Sequence, residues 1–308
     1  MKKGLILFCA FFLSINLMAD YTFLEYGTGT RMVGSRSGVI DASSAESVVY
    51  NPALLNYGKN EIILSYYKPF GENFFTEGSE GLEGIHAYNA GFSLRTAKYN
   101  YGMNVLLLQN DGLEGYDENG LATGKFNTIE SAITFGMGKN IGPFSMGMKS
   151  RIIYQKFYQD HSRSILGLGL GLVKKISDNL KIGLMFDNIV GLNLFSENIS
   201  HESLAPSINT GISYTLGRLD LGLGISSDLE RFFVTGKAVM SLAGWLNLIS
   251  EMGNGLGQYH SQTLQSGSVR TFINGGMQIN WQKTSALFLI GYRGDLGLDK
   301  SISLKLYY

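Results

Sequence analysis

"FSMGMKSRIIYQ", residues 144 to 155, places Phe144, Met146, Met148, Ile152 and Tyr154 between Ser145, Gly147, Lys149, Arg151 and Gln155. Successive side chains of a β-strand point to opposite faces, so this segment reads as a strand with one apolar and one polar side. The run lasts about ten residues.

The pattern recurs along the chain. Tyr101, Met103, Val105 and Leu107 alternate with Asn100, Gly102 and Asn104, and Leu180, Ile182, Leu184 and Phe186 with Lys181, Gly183 and Asp187. Leu219, Leu221, Leu223 and Ile225 oppose Asp220, Gly222, Gly224 and Ser226, while Val269, Thr271, Ile273, Met277 and Ile279 oppose Arg270, Asn274, Gln278 and Asn280. Fourteen such strands are expected, near 60–68, 85–95, 99–109, 128–138, 144–155, 164–175, 179–187, 207–216, 219–227, 233–242, 246–253, 268–280, 285–293 and 301–308.

The connections suggest how the strands are arranged. Those after the even strands are short, as at Thr96 to Lys98, Gly217-Arg218 and Trp281 to Thr284; most of those after the odd strands are longer, as at Pro69 to Gly84, Asn110 to Asn127, Asn188 to Pro206 and Asn254 to Gly267. Short turns on one rim and longer loops on the other point to an all-β transmembrane antiparallel barrel of the bacterial outer membrane. A soluble β-sandwich also alternates, but it has no need of polar, Gly-rich residues on the second face of nearly every strand. Closure of an even number of strands also leaves no unpaired edge in lipid.

Composition agrees. Of 308 residues, 44% are hydrophobic and only 16% are charged, and Gly is 40 where Pro is 4. Lys2 and Lys3, the apolar Leu5 to Phe12 and Leu17-Met18-Ala19 read as a signal peptide over 1–19, so the chain is expected to be exported. Cys9, the only cysteine, would leave with it, and no thiol chemistry would remain. The mature chain would carry 23 basic against 25 acidic residues, which offers no basic face for nucleic acid. After the signal, 20–58 is expected to be a lumenal hatch and 59–308 the barrel.

The final strand alternates Ile302, Leu304, Leu306 and Tyr308 with Ser303, Lys305 and Tyr307 and stops on an aromatic. This ending is similar to the carboxy-terminal signal read by barrel-assembly machinery. That machinery and outer-membrane lipid are the partners it implies.

Before the first strand, "GSRSGVIDASSAESVVYNPALLN" at 34–56 resembles the amino-terminal signature of the FadL and PorV families of outer-membrane proteins, in which a Gly/Ala-rich segment leads through Asn-Pro-Ala into the first strand. "KISDNLKIGLMFDNIVG" at 175–191 and "LAPSINTGISYTLGRLDLGLGISSDL" at 204–229 are similar to middle hairpins of PorV-type proteins. The resemblance runs from about Gly27 to Tyr308 and implies a fourteen-stranded barrel, a segment before the first strand folded into the lumen, and passage of hydrophobic compounds as in FadL. PorV implies instead a barrel acting through protein partners in secretion and surface attachment. The first long loop, Pro69 to Gly84, is short beside the partly helical loop of FadL.

The residues themselves suggest roles for the candidate sites. Pro52 fixes its own backbone and pushes Asn51 out of the helical region, so Asn51, Pro52 and Ala53 are read as a hinge from plug to wall. Alternation turns Glu61, Arg95, Glu130, Lys149, Arg151, Asp187, Lys237, Glu251, Arg270 and Arg293 inward, mainly as mutually paired charges, with Lys149 and Arg151 a candidate contact for an acidic headgroup. Leu106, Leu108, Ile153, Phe272, Leu287 and Leu289 are also turned inward, either to line a hydrophobic passage or to pack on Val33, Val39 and Ile40 of the hatch. His86, His161, His201 and His260 have no metal-ligand spacing, and His86 is expected to face lipid. Gly167, Gly169 and Gly171 lie inside a period-two strand with no helix after them, which excludes a nucleotide loop. Phe70, Phe74, Phe75, Tyr116, Phe157 and Tyr158 are read as an outer-rim aromatic girdle. No cofactor, metal or bond chemistry is expected.

Overall fold

A computed structural model describes residues 38–42, 44–71, 85–116, 121–158, 161–197, 204–228, 231–257, 270–292 and 298–308. The expected signal segment 1–19, the expected hatch up to residue 37 with Val33, and Phe74, Phe75, His201, His260 and Arg293 lie outside the described residues. So do the side chains of Phe70, Tyr116, Phe157, Tyr158, His161 and Arg270, which leaves the outer-rim girdle without a described member.

Fourteen strands follow in chain order: β1 Glu61–Gly71, β2 Ile85–Arg95, β3 Asn100–Tyr116, β4 Ala122–Ile141, β5 Phe144–Tyr158, β6 His161–Lys175, β7 Leu180–Glu197, β8 Ser207–Leu216, β9 Leu219–Asp228, β10 Arg231–Ala243, β11 Leu246–Gly257, β12 Arg270–Trp281, β13 Thr284–Tyr292 and β14 Leu298–Tyr307. Each pairs antiparallel with its sequence neighbours, and β14 closes on β1 from Glu61↔Tyr307 to Lys68↔Lys300. Closure satisfies every strand edge from within the wall, as the interior of a bilayer demands.

Burial shows the alternation turned inside out relative to a soluble protein. Leu64, Phe92, Met148, Leu170, Leu223, Met277, Ile302 and Leu304 face out and are exposed, while Lys149, Arg151, Gln155, Glu251 and Lys305 face in and are buried. A sandwich would bury the first set and expose the second. The exterior is therefore a lipid-facing belt, and the soluble alternative is excluded by the direction of the pleat. Ile302, Leu304, Leu306 and Tyr308, expected to form an assembly signal, are all exposed on this outer side. His86 also turns outward, its Nδ1 2.8 Å from the Tyr66 hydroxyl.

Several strands outrun their sequence-based limits on the long-loop side. β3 and β4 continue through most of the expected loop 110–127, with Leu113 opposite Phe126 and Gly115 opposite Gly124. The ladder slips there around Gly112, whose φ of 76° suits glycine. β7 likewise continues past Asn188 to Glu197. Outside the bilayer the backbone ladder persists without an apolar face to sustain the alternation, so periodicity cannot mark these ends.

Three short helical pieces precede β1: α1 at Gly38–Asp41, α2 at Ser44–Tyr50 and a 3₁₀ helix at Pro52–Asn56. They lie inside the barrel near its short-turn end, packed against β1 to β9.

Candidate functional site

The helical segment inside the barrel, termed the plug for its position alone, is organised around Asn51. Its backbone is extended, with φ −157° and ψ 101°, and its side chain accepts from the Ala53 N–H at 3.1 Å, capping the 3₁₀ helix that Pro52 begins. The same amide donates to the Val39 carbonyl at 2.8 Å and to that of Leu184 in β7 at 3.4 Å. Asn51, Pro52 and Ala53 are all buried, and the chain leaves the lumen only after Tyr57, so the motif sits inside the plug and Tyr57 to Asn60 make the approach to the wall. Asn56 is tied to the wall as well: it accepts from Asn100 at 2.6 Å and donates to Ser145, whose hydroxyl donates to the Ala53 carbonyl at 2.6 Å.

The wall yields space for these contacts. A Cβ at Gly147 would overlap the Pro52–Ala53 backbone, and one at Gly171 would overlap the Asn51 side chain. Glycine on the inner face of β5 and β6 therefore has a packing purpose, since it lets plug backbone approach strand backbone.

Charge holds α2 along its axis. Glu61 of β1 accepts from the Ala45 N–H at 3.2 Å beside the start of the helix, and at its end the Val49 carbonyl accepts from Lys149 and, at 3.2 Å, from Arg151. An anion at the first turn and cations at the last match the helix dipole. Lys149 also pairs with Asp187 at 2.7 Å, with Arg151 3.9 Å from the same oxygen. These two cations are thus engaged with the plug and with Asp187. From the opposite side, long lysines reach in: Lys305 to Glu46 at 3.5 Å and Lys237 to Asp41 at 3.8 Å.

Of the charges expected inside, Glu61, Lys149, Arg151, Lys237 and Glu251 are buried, whereas Arg95 is exposed at the rim, where it donates to the Gly58 carbonyl at 2.9 Å. Arg95 is the last residue of β2, so its side chain lies at the short-turn rim and is open to water. Asp41 and Glu46 have no place in a strand alternation, so that pattern passes over them.

Next to the plug the lumen carries an apolar cluster among buried polar side chains such as Asn89, Asn104, Gln155 and Arg163. Leu106, Leu108, Ile153, Leu287 and Leu289 come together in one buried cluster with Tyr67, Ile85, Ala87, Ala132, Ile165, Leu204 and Ile249. Phe272 is buried on the inner face of β12 but outside that cluster. Val39 and Ile40 pack elsewhere, with Ala53, Leu54, Val173 and Met185. Ile165 is legible from parity, since it shares a face with Gly167 and Gly169; Leu204 is not, because it belongs to the connection before β8 and reaches inward from there.

The apolar cluster is not level. On β3 to β6 it lies well above the short turns, but Ile249 of β11 and Leu287 and Leu289 of β13 lie lower, on the side away from the strands the plug packs against. A cavity of about 450 Å³ opens beside the plug at the short-turn end, lined by Asp41, Tyr57, Lys59, Lys181, Asp220 and Lys237 among others. An apolar strip descending toward a polar vestibule is what this arrangement offers a small apolar molecule.

No family model matches the chain, and no curated protein does. Solved structures do. The toluene transporter TodX of P. putida is 10% identical, with 92% of this chain and 99% of that one aligned at a TM-score of 0.67. The CymD monoaromatic hydrocarbon channel is 10% identical over 86% of this chain and 93% of that one, TM-score 0.62. A FadL homologue of Pseudomonas aeruginosa is 9% identical over 96% and 99%, TM-score 0.52. Identities this low speak to architecture. The chain has the fold of the FadL-type outer-membrane channels.

Proposed function

We propose that this protein is an outer-membrane channel that passes or binds small hydrophobic molecules, with the segment from residue 20 to the start of β1 acting as an internal hatch. The observation that carries this reading is the buried apolar cluster inside the barrel, where a water-filled pore would be polar. Its lower members on β11 and β13 would give apolar cargo a route away from the charged contacts around Val49. The fold shared with channels described for toluene and other monoaromatic hydrocarbons supports the same class of cargo. The chain's own part is binding and passage, with no bond made or broken.

Uptake of toluene by intact cells tests the proposal. A deletion strain should take it up more slowly and recover with the full-length protein. Unchanged uptake, together with co-purification of a protein partner, would favour a secretion-type scaffold instead. Deleting residues 20–50 should raise conductance in reconstituted bilayers if that segment is a plug.

A further inference from the structure

On β12, between Phe272 and the level of Ile249 and Leu289, Asn274 is 2% exposed and faces the lumen. Among the described residues, neither its Oδ1 nor its Nδ2 has a hydrogen-bond partner. Buried amides are nearly always paired, because leaving both ends unmet forfeits the hydrogen bonds they had with water. An amide held this way is poised for a partner that is not part of the wall.

Its surroundings are shaped by glycines. Phe272, two residues away on the same face, lays its ring against Gly253 of β11, where a Cβ would collide with it. On the other side, Leu289 lies against Gly276 in the same manner. Directly across the ladder toward β13 stands Gly291, which has no side chain to cover the amide. Toward β11 the opposite residue is Glu251, and its carboxylate makes no hydrogen bond to Asn274. One acceptor and two donors are thus presented between an aromatic ring and a leucine.

We propose that Asn274 is the polar contact of a binding subsite on the apolar route. The subsite takes molecules with a small apolar body, aromatic by preference, and a single hydroxyl, carbonyl or amide group. Phe272 and Leu289 receive the body and the amide receives the polar group. The assignment rests on the hydrophobic-channel reading and sharpens its cargo, from hydrocarbons in general to those bearing one polar handle.

Toluene and 4-methylphenol differ by one hydroxyl and serve as probes. Their dissociation constants are measured by calorimetry on the full-length protein in detergent, for the wild type, Asn274→Leu and Asn274→Ser. Asn274→Leu should shift the 4-methylphenol to toluene affinity ratio about tenfold toward toluene, by leaving the buried hydroxyl unpaired. Asn274→Ser keeps a hydroxyl at the site and should restore part of the ratio. Toluene binding with the same ratio in all three proteins would overturn the Asn274 assignment alone. A wild type that binds neither probe would overturn the channel reading and this subsite together.

Discussion

Glu46, on the second helix of the plug, and Lys305, on the last strand, are 259 residues apart in sequence and 3.5 Å apart in space, with both side chains almost wholly buried. The contact joins the plug to the strand that closes the barrel. A buried pair of this kind is weak as net stabilisation but severe when one member is removed, because the other is left charged and dry. Glu46→Ala, which takes this carboxylate from the buried Lys305, should therefore destabilise the barrel by about 3–5 kcal/mol, and the double replacement Glu46→Leu with Lys305→Met should recover much of that. Urea unfolding followed by the mobility of unheated samples on gels measures both.

Gly147 tests whether the plug depends on close backbone approach. Gly147→Val must displace Pro52 and Ala53, at a cost of about 1–3 kcal/mol for overpacking. Displacement of the plug should raise bilayer conductance above that of the wild type. A stable barrel with unchanged conductance would mean that the plug holds its position without this contact.

Asn51→Ala removes the cap on Ala53 and the link to Val39. The loss should be about 1–2 kcal/mol in unfolding free energy. Hydrogen exchange should increase first at residues 51–56, ahead of any strand, if the damage is confined to the plug.

Leu289 lies on the descending part of the apolar cluster. Leu289→Asp puts a carboxylate in the proposed route and should cut toluene uptake at least about tenfold, since an unpaired charge in apolar surroundings costs well above about 1.4 kcal/mol. Leu304→Asp on the lipid side is the contrasting variant: it should impair insertion rather than selectivity, visible as reduced folded protein in the membrane fraction.

Asp178 gives a prediction of no effect. In the exposed turn between β6 and β7 it accepts a 2.7 Å hydrogen bond from Lys175, and that bond and the lysine charge lower its carboxyl pKa. A lowered pKa contributes stability that is present above the ordinary aspartate range and is lost as pH falls through the folded-state value. Because the pair is open to solvent, screening removes most of that contribution. Asp178→Asn should leave the urea midpoint unchanged at neutral pH, and in the wild type the midpoint should not fall at the acid end of the titration on this account.

Within the wall, legibility follows the pleat. Lys149, Arg151 and Ile153 alternate with Met148 and Ile152, so their inward direction is readable from the order of residues alone. Strand ends are less legible wherever the ladder leaves lipid, as Asp111 to Gly115 show, because hydrogen bonding continues after the hydrophobic pattern has stopped. The plug is legible as a segment through Asn51-Pro52-Ala53, yet its attachment points are not. Glu46 gives no sign in sequence that Lys305 will meet it, and the purpose of Gly147 emerges only when Ala53 is seen against it.

The alternation by itself determined a closed, lipid-facing antiparallel wall, because a period of two assigns each residue a face and a bilayer accepts only one of the two faces. Which inward residues pair, which form the apolar cluster and which, like Asn274, meet no partner among the described residues depended on register and curvature. Those quantities bring residues together from strands that share no sequence period, so only the closed barrel could decide them.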